Sequence, residues 1–365
     1  MKRIDWPAVL RWALAGVVLQ VVLVVGGVLH NGPLVDIVAP GRGGPAEAVI
    51  RHDFPDYQFV RNIGHDGQQY YAIAREPMHP HSSARSIPRP RYVLQRILLP
   101  GLAWLMHPSP GNGLVVAMVV VGIAGLAALA VSTGAWAMHL GASPKLGLVA
   151  ALLPGGNAAL QVSTPDTLAL GLAMGSILAA HRRSPALAVA LGAGAILAKE
   201  SAAGLVLAGF LTAAVAHRWR LCFLAMLPAG LWWMALRLMF PGPGTQVVEF
   251  GAPFVGIRQS FDQLWLQGSQ LWGLVCVVGV LLAGPWALWR YRRRGPNGAI
   301  HPLWWPLAVQ LAMVVCLGVN SVGPNFNASR ILEPAYLLAI LVLVTPRPIL
   351  GQDARPADGA ILSTV

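Results

Sequence analysis

The chain has 365 residues, of which 56% are hydrophobic and only 11% charged, and its mean hydropathy is +0.60. A charged share less than half the roughly 25% of soluble domains argues against a soluble enzyme, a disordered chain and a coiled coil, and the apolar residues come in blocks of bilayer length. A net charge of +12 and a pI near 10.6 would suggest nucleic acid in a soluble chain; here the question is where those charges sit.

A bilayer core of about 30 Å needs roughly 20 apolar residues per helix. The first candidate span runs from Val9 to Leu29, with Lys2, Arg3 and Arg11 at its start. No small-x-small cleavage site follows, so it reads as an uncleaved anchor. A polar segment, 30–92, comes next. Apolar blocks then recur at about 93–106, 113–138, 146–160, 165–180, 185–199, 200–216, 221–240, 269–289, 303–319 and 331–346. The basic connections are His181-Arg182-Arg183, His217 to Arg220, Arg290 to Arg294, and Arg347. Placing them in the cytoplasm puts both termini inside and the 30–92 loop outside. If 93–106 crossed the membrane, every later hairpin would invert, so Val93 to Met106 is expected to lie along the outer surface as a juxtamembrane helix. The expected architecture is an all-α polytopic bundle of about ten transmembrane helices. It forms one domain over 1–350, with a disordered cytoplasmic tail over 351–365. On this topology the cytoplasmic side holds 14 Lys/Arg and 3 Asp/Glu, the outer side 12 and 11. The basic pI then records orientation, and no nucleic-acid partner is expected.

Cys222, Cys276 and Cys316 all fall in apolar blocks, which leaves no disulfide framework or zinc pattern. The acids are more informative. Six of the fourteen, and five of the ten histidines, lie in the outer loop. Its densest part is GHDGQQYYAIA, residues 64–74. Glycines on either side of His65-Asp66 allow a tight turn and a close ligand, while Tyr70, Tyr71 and Ile73 begin an amphipathic helical turn that could rest on the bilayer. An acid beside a histidine at the membrane surface suits general-base or metal chemistry; an N-capping Asp66 is the plainer reading. Lys199-Glu200 interrupts two apolar runs, and intramembrane ionisable residues point to function by default. The pair is either self-paired in a turn or aimed at a lipid phosphate. Arg330 and Glu333 share a helix face, as a local ion pair or with the guanidinium fork free for phosphate. Arg96, Arg237 and Arg258 extend this outer cationic set. Asp166 reads as an N-cap, and Trp232-Trp233 and Trp304-Trp305 as interface anchors.

These residues together resemble the GT-C superfamily of polyprenyl-phosphate-sugar-dependent glycosyltransferases over most of the chain. GHDGQQYYAIA is similar to the W-D-x-x-H-Y-x-x-I-A stretch of the GPI-type mannosyltransferases, with Asp66 at the acid position and His65 where those have Trp. RYVLQRILLPGLAWLM and the span after it resemble the surface helix and long span of the protein O-mannosyltransferases and aminoarabinose transferases. VSTPDTLALGLAMGSILAAHRR, LGAGAILAKES and NASRILEPAYLL resemble later family elements, with Lys199 near a usual arginine and Arg330 and Pro334 opening the last span. The resemblance implies an inverting transfer at the outer face of the inner membrane. The donor would be a polyprenyl-phosphate sugar and the acceptor a glycan, lipid or protein. Asp66 would be the catalytic base, and His65, Gln69, Arg96, Lys199, Glu200 and Arg330 would bind substrate or phosphate. No D-x-D follows Asp66, so a requirement for Mg2+ or Mn2+ stays open. A transporter or flippase of a lipid-linked or small polar substrate, and a non-catalytic subunit of an envelope complex, are the competing readings; the first would favour inverted repeats and midplane charges.

Overall fold

The computed structural model describes residues 3–213, 217–241, 252–264, 271–291, 301–318 and 325–346. Arg292 to Arg294, Arg347 and the 351–365 tail lie outside the described residues. Among the described residues every regular element is helical. The α-helices are α1 (Trp6–Asn31), α2 (Glu47–Asp53), α3 (Gly67–Arg75), α4 (Pro80–Ala84), α5 (Pro90–Val93), α6 (Leu98–Met106), α7 (Asn112–His139), α8 (Leu146–Ala151), α9 (Pro154–Gln161), α10 (Asp166–His181), α11 (Pro185–Ala198), α12 (Ala202–Thr212), α13 (Arg218–Met239), α14 (Val255–Leu264), α15 (Leu271–Arg290), α16 (Trp304–Val315) and α17 (Asn325–Val344).

Three of them hold a stretch long and apolar enough to cross a membrane: Trp6–Val28 in α1, and all of α7 and α13. Helices α10, α11, α12, α16 and the Val275–Arg290 part of α15 are apolar but shorter. Large apolar side chains face outward on α1 (Leu10, Leu14, Val18, Val22) and on α13 (Phe223, Leu231, Met234, Leu238). A surface of this kind, over a core that also contains charges, suits lipid rather than water.

Two expected elements are broken by proline. The 146–160 block is two helices, α8 and α9. Pro154 has no N–H to continue the first, and it drives Leu153 into an extended conformation (φ −61°, ψ 142°). The expected Val93 to Met106 surface helix is likewise split into α5 and α6. Pro100 cannot bond the Arg96 carbonyl four residues back, so the chain loosens over 94–97 and frees Arg96 to turn inward.

Close packing in the bundle rests on small residues. A Cβ on Gly125 of α7 would lie 2.7 Å from the Leu168 backbone of α10, and one on Gly171 would lie 2.6 Å from Leu129 N. With the backbones so near, side chains bond across the helices. Ser132 Oγ donates to Gly171 O (3.2 Å), Trp136 Nε1 to Met174 O (2.9 Å) and Ser176 Oγ to Ala188 O (2.6 Å). This is the small-residue and hydroxyl chemistry of helix pairs in lipid.

The helices run between two polar ends. At one, the starts of α10, α12 and α17 meet α3. At the other, Trp136 meets His139 and His181 edge to face with centroids 5.4 Å away, and Thr212 Oγ1 reaches His181 Nε2 (3.5 Å) and Pro302 O (3.1 Å). His301 and Tyr291 meet Thr345 there as well.

The polar segment after α1 folds onto the first end. Gly64 takes φ +75°, and a Cβ on Gly41 would overlap the Ile63 carbonyl carbon at 2.1 Å. Gln68 spans this crossing: its Nε2 donates to Ile63 O at 2.8 Å and its Oε1 accepts from Gly41 N at 3.4 Å. Contrary to expectation, α3 does not rest on a bilayer. Tyr70, Tyr71 and Ile73 are fully buried in protein, and Tyr71 donates to Asp53 Oδ2 (2.9 Å) while accepting from Gly111 N (2.8 Å).

Gly171→Leu is expected to destabilise the protein by about 1–3 kcal/mol, because the new side chain has only backbone to displace. Gly230, which has nothing within 4 Å of a Cβ, should tolerate Ala without loss. Thermal unfolding in detergent, followed by tryptophan fluorescence, reads both.

Candidate active site

Asp66 sits between Gly64 and Gly67 at the entry to α3. A Cβ at position 67 would lie 2.1 Å from the Val162 carbonyl oxygen, so only glycine lets α3 seat this close to the link between α9 and α10. Asp66 occupies the N-cap position, but its side chain makes no capping hydrogen bond. It turns instead to Arg330, with Nη2 3.2 Å from Oδ2.

Arg330 lies near the start of α17 and is 8% exposed. Its Nε also faces Asp166 Oδ2 at 3.5 Å. Asp166 is the first residue of α10 and, unlike the expectation, caps nothing: the cap position falls to Pro165. Its other oxygen takes the Lys199 ammonium. Lys199 stands at the break between α11 and α12, where its backbone is extended (φ −157°, ψ 124°). The order is therefore Lys199, Asp166, Arg330, Asp66, alternating in charge across four chain regions. Asp166 is 7% exposed at its side chain and Asp66 42%, so Asp66 is the acid that a ligand can reach.

A second ion pair lies beside the first. Arg96, freed by the break before α6, grips Glu200 with both edges: Nη2 to Oε1 at 2.6 Å and Nε to Oε2 at 2.9 Å. Its Nη1 donates to Tyr70 Oη (3.1 Å), its Nη2 to Tyr92 Oη, and its guanidinium stacks 4.4 Å from the Tyr92 ring centroid. Burial raises the Tyr70 phenol above its ordinary value, the nearby Arg96 only partly opposing this, so it stays neutral. Lys199 and Glu200 are not self-paired: each serves a different partner.

Both sets line one cavity of about 300 Å³. Asp66, Gln69, Arg96, Lys199, Glu200 and Arg330, separated widely in sequence, all contribute to its wall. His65 does not: it is exposed, and its backbone N–H is held by Ala39 O at 2.9 Å. Arg237 and Arg258 are exposed as well and stand outside the lining. The cavity adds residues not singled out for it from sequence, chiefly Asp166, Glu333, Arg89 and Tyr92. Tyr92 lies in α5, and the break after that helix turns Arg96 back onto its ring. Glu333 does not pair with Arg330; its carboxylate lies against Gly155 and Gly156.

Among the described residues no group of three His, Cys, Asp or Glu is placed to hold a metal ion. Asp66, Asp166 and Glu200 each face a cation within the cavity, so this donor set does not fit a divalent metal.

The electrostatics predict an asymmetry. Arg96→Leu leaves Glu200 without its partner and should cost about 3–5 kcal/mol, as for other buried pairs broken on one side. Arg96→Leu combined with Glu200→Leu should recover most of that loss. A double-mutant cycle on unfolding temperature tests it, and equal losses in the single and double variants would contradict the pairing.

No protein-family model matches the chain, and neither a curated protein nor a solved structure matches it.

Proposed function

We propose that the chain is a polytopic inner-membrane glycosyltransferase of GT-C type. It would move a sugar from a polyprenyl-phosphate donor to an envelope glycan, lipid or protein acceptor at the outer face. The observation that carries this reading is the meeting of Asp66, Lys199 and Arg330, from three distant regions, on one cavity. In this reading the bundle has about ten spans with both termini in the cytoplasm. The two polar ends support it. The acids and cations of the cavity share one end, while Arg182 and Arg183, just after α10, and Arg218 and Arg220, in the first turn of α13, lie at the other.

Helix lengths bear on where the cavity would lie. The sixteen residues of α10 rise about 24 Å at about 1.5 Å each, short of the about 30 Å apolar core. A cavity at the start of α10 would then be recessed toward the acyl boundary, at the level where a lipid phosphate is available.

The chemistry follows from the charges. The donor phosphate enters beside Lys199 and takes over the Arg330 Nη2 that otherwise faces Asp66. Asp66 is then free to accept the proton of the acceptor hydroxyl. The hydroxyl oxygen bonds to the anomeric carbon from the face opposite the phosphate. The anomeric C–O bond breaks with its electron pair passing to the phosphate, and polyprenyl phosphate leaves. Its added negative charge is met by Arg330 and Lys199, preset donors of the kind that contribute most to such transfers. Arg96 holds Glu200 and so fixes the turn that carries Lys199.

Asp66→Asn keeps the shape of the turn and removes the base. Transfer in membranes should fall by about 10²–10⁴-fold at unchanged expression; full activity would refute the assignment. Orientation has its own check: alkaline phosphatase fused after His79 should be active, and fused after Arg183 or Arg220 inactive. Saturable counterflow in proteoliposomes without product would favour a transporter instead.

A further inference from the structure

Four cations line the cavity: Arg89, Arg96, Lys199 and Arg330. Three of them face an acid. Lys199 and Arg330 share Asp166, Arg330 also faces Asp66, and Arg96 grips Glu200. Arg89 is only partly buried, and its side chain forms no ion pair or hydrogen bond among the described residues.

Arg89 is nevertheless held in place. Pro90 keeps it out of the helical conformation at the entry to α5 (φ −138°, ψ 71°). Its guanidinium lies 5.2 Å from the Tyr92 ring centroid, and that of Arg96 lies 4.4 Å from the same centroid. Contact with a ring leaves the N–H donors of Arg89 unspent. Two guanidiniums thus share one ring, while Glu200 serves Arg96. The excess of positive charge calls for an anion next to Arg89.

The position of Arg89 says what kind of anion. The α5 link rests on the last turns of α13. Arg91 Nε donates to Phe240 O, Trp232 Nε1 donates to Leu94 O at 2.8 Å, and the His81 and Phe240 rings lie 4.9 Å apart. Helix α13 is long and apolar enough to cross a membrane, and Leu231, Met234 and Leu238 near its end face outward. In the membrane reading Arg89 therefore stands where a span ends, at the level of lipid phosphates.

We infer that Arg89 is a further substrate-binding residue, whose guanidinium takes the phosphate of the polyprenyl lipid and favours it as the doubly charged monoester. The inference rests on the transfer reading above. The donor is a phosphodiester with one negative charge, and the phosphate that leaves is a monoester with about two at neutral pH. Lys199 and Arg330 stay shared with Asp166, so the second charge needs a cation that is not already spent. Arg89 supplies it, and its planar fork fits two phosphate oxygens at once.

The test measures binding to the purified full-length protein in detergent at pH 8. The probes are polyprenyl phosphate, its methyl ester, which carries one charge, and phosphatidylglycerol as a competitor. The wild type should bind polyprenyl phosphate about tenfold or more tightly than the ester, the worth of a hydrogen bond to a charged group. Arg89→Gln should weaken polyprenyl phosphate about tenfold and the ester about threefold at most. Should that variant not fold, Arg89→Met, which keeps an apolar stem against Tyr92, carries the same expectation. A variant that binds polyprenyl phosphate within about twofold of the wild type, or that weakens both ligands equally, overturns the inference while the transfer reading stands. So does phosphatidylglycerol that displaces polyprenyl phosphate from the wild type at equal concentration, because Arg89 would then serve bulk lipid. A wild type that binds no polyprenyl phosphate overturns both.

Discussion

One guanidinium links the polar segment to the helix bundle. Arg330 faces Asp66 from the segment and Asp166 from the start of α10, and Asp166 in turn holds Lys199. Charges taken this far out of water are tolerated only when they are matched, and removing one partner costs far more than the pair contributes. The start of α17, the start of α10, the break between α11 and α12 and the entry to α3 therefore have to meet in one arrangement.

Packing and electrostatics divide the work. Glycines at 125 and 171 bring α7 and α10 to near backbone contact, which sets the depth at which Asp166 begins its helix. Prolines at 100 and 154 interrupt helices that would otherwise run past the cavity, and the first interruption lets Arg96 reach Glu200. At the far end the contacts are aromatic and hydroxylic, among Trp136, His139, His181, Thr212 and Tyr291. One end of the bundle is thus held by paired charges and the other mainly by edge-to-face aromatic contacts and hydrogen bonds.

The helical character and much of the charged part of the cavity wall were legible in the sequence because ionisable residues are conspicuous in an apolar chain. Asp66, Lys199, Glu200, Arg96 and Arg330 stand out for that reason. Which residue pairs with which was not legible. Lys199 and Glu200 are neighbours, and Arg330 and Glu333 share a face, so local spacing suggests pairs that the tertiary structure does not form. Asp166 was hidden by a sound local rule, since an acid before a helix is most often a cap, and only the arrival of Lys199 and Arg330 from elsewhere overrides it. Tyr70 and Tyr71 look amphipathic by period, but period cannot say whether the apolar side meets lipid or protein. Pro100 and Pro154 did carry the signal for the broken helices, and the continuity of the apolar blocks masked it.

The seat of Gly67 against the Val162 carbonyl has a mechanical consequence. Any side chain there would collide with the backbone joining α9 to α10, so the turn bearing Asp66 is wedged against the same link that presents Asp166. Moving the two acids apart would open this backbone contact as well as the Arg330 bridge between them. The facing wall of the cavity is apolar, with Met313 and Val314 at the end of α16 and Leu317 two residues beyond it, a lining that matches hydrocarbon rather than water.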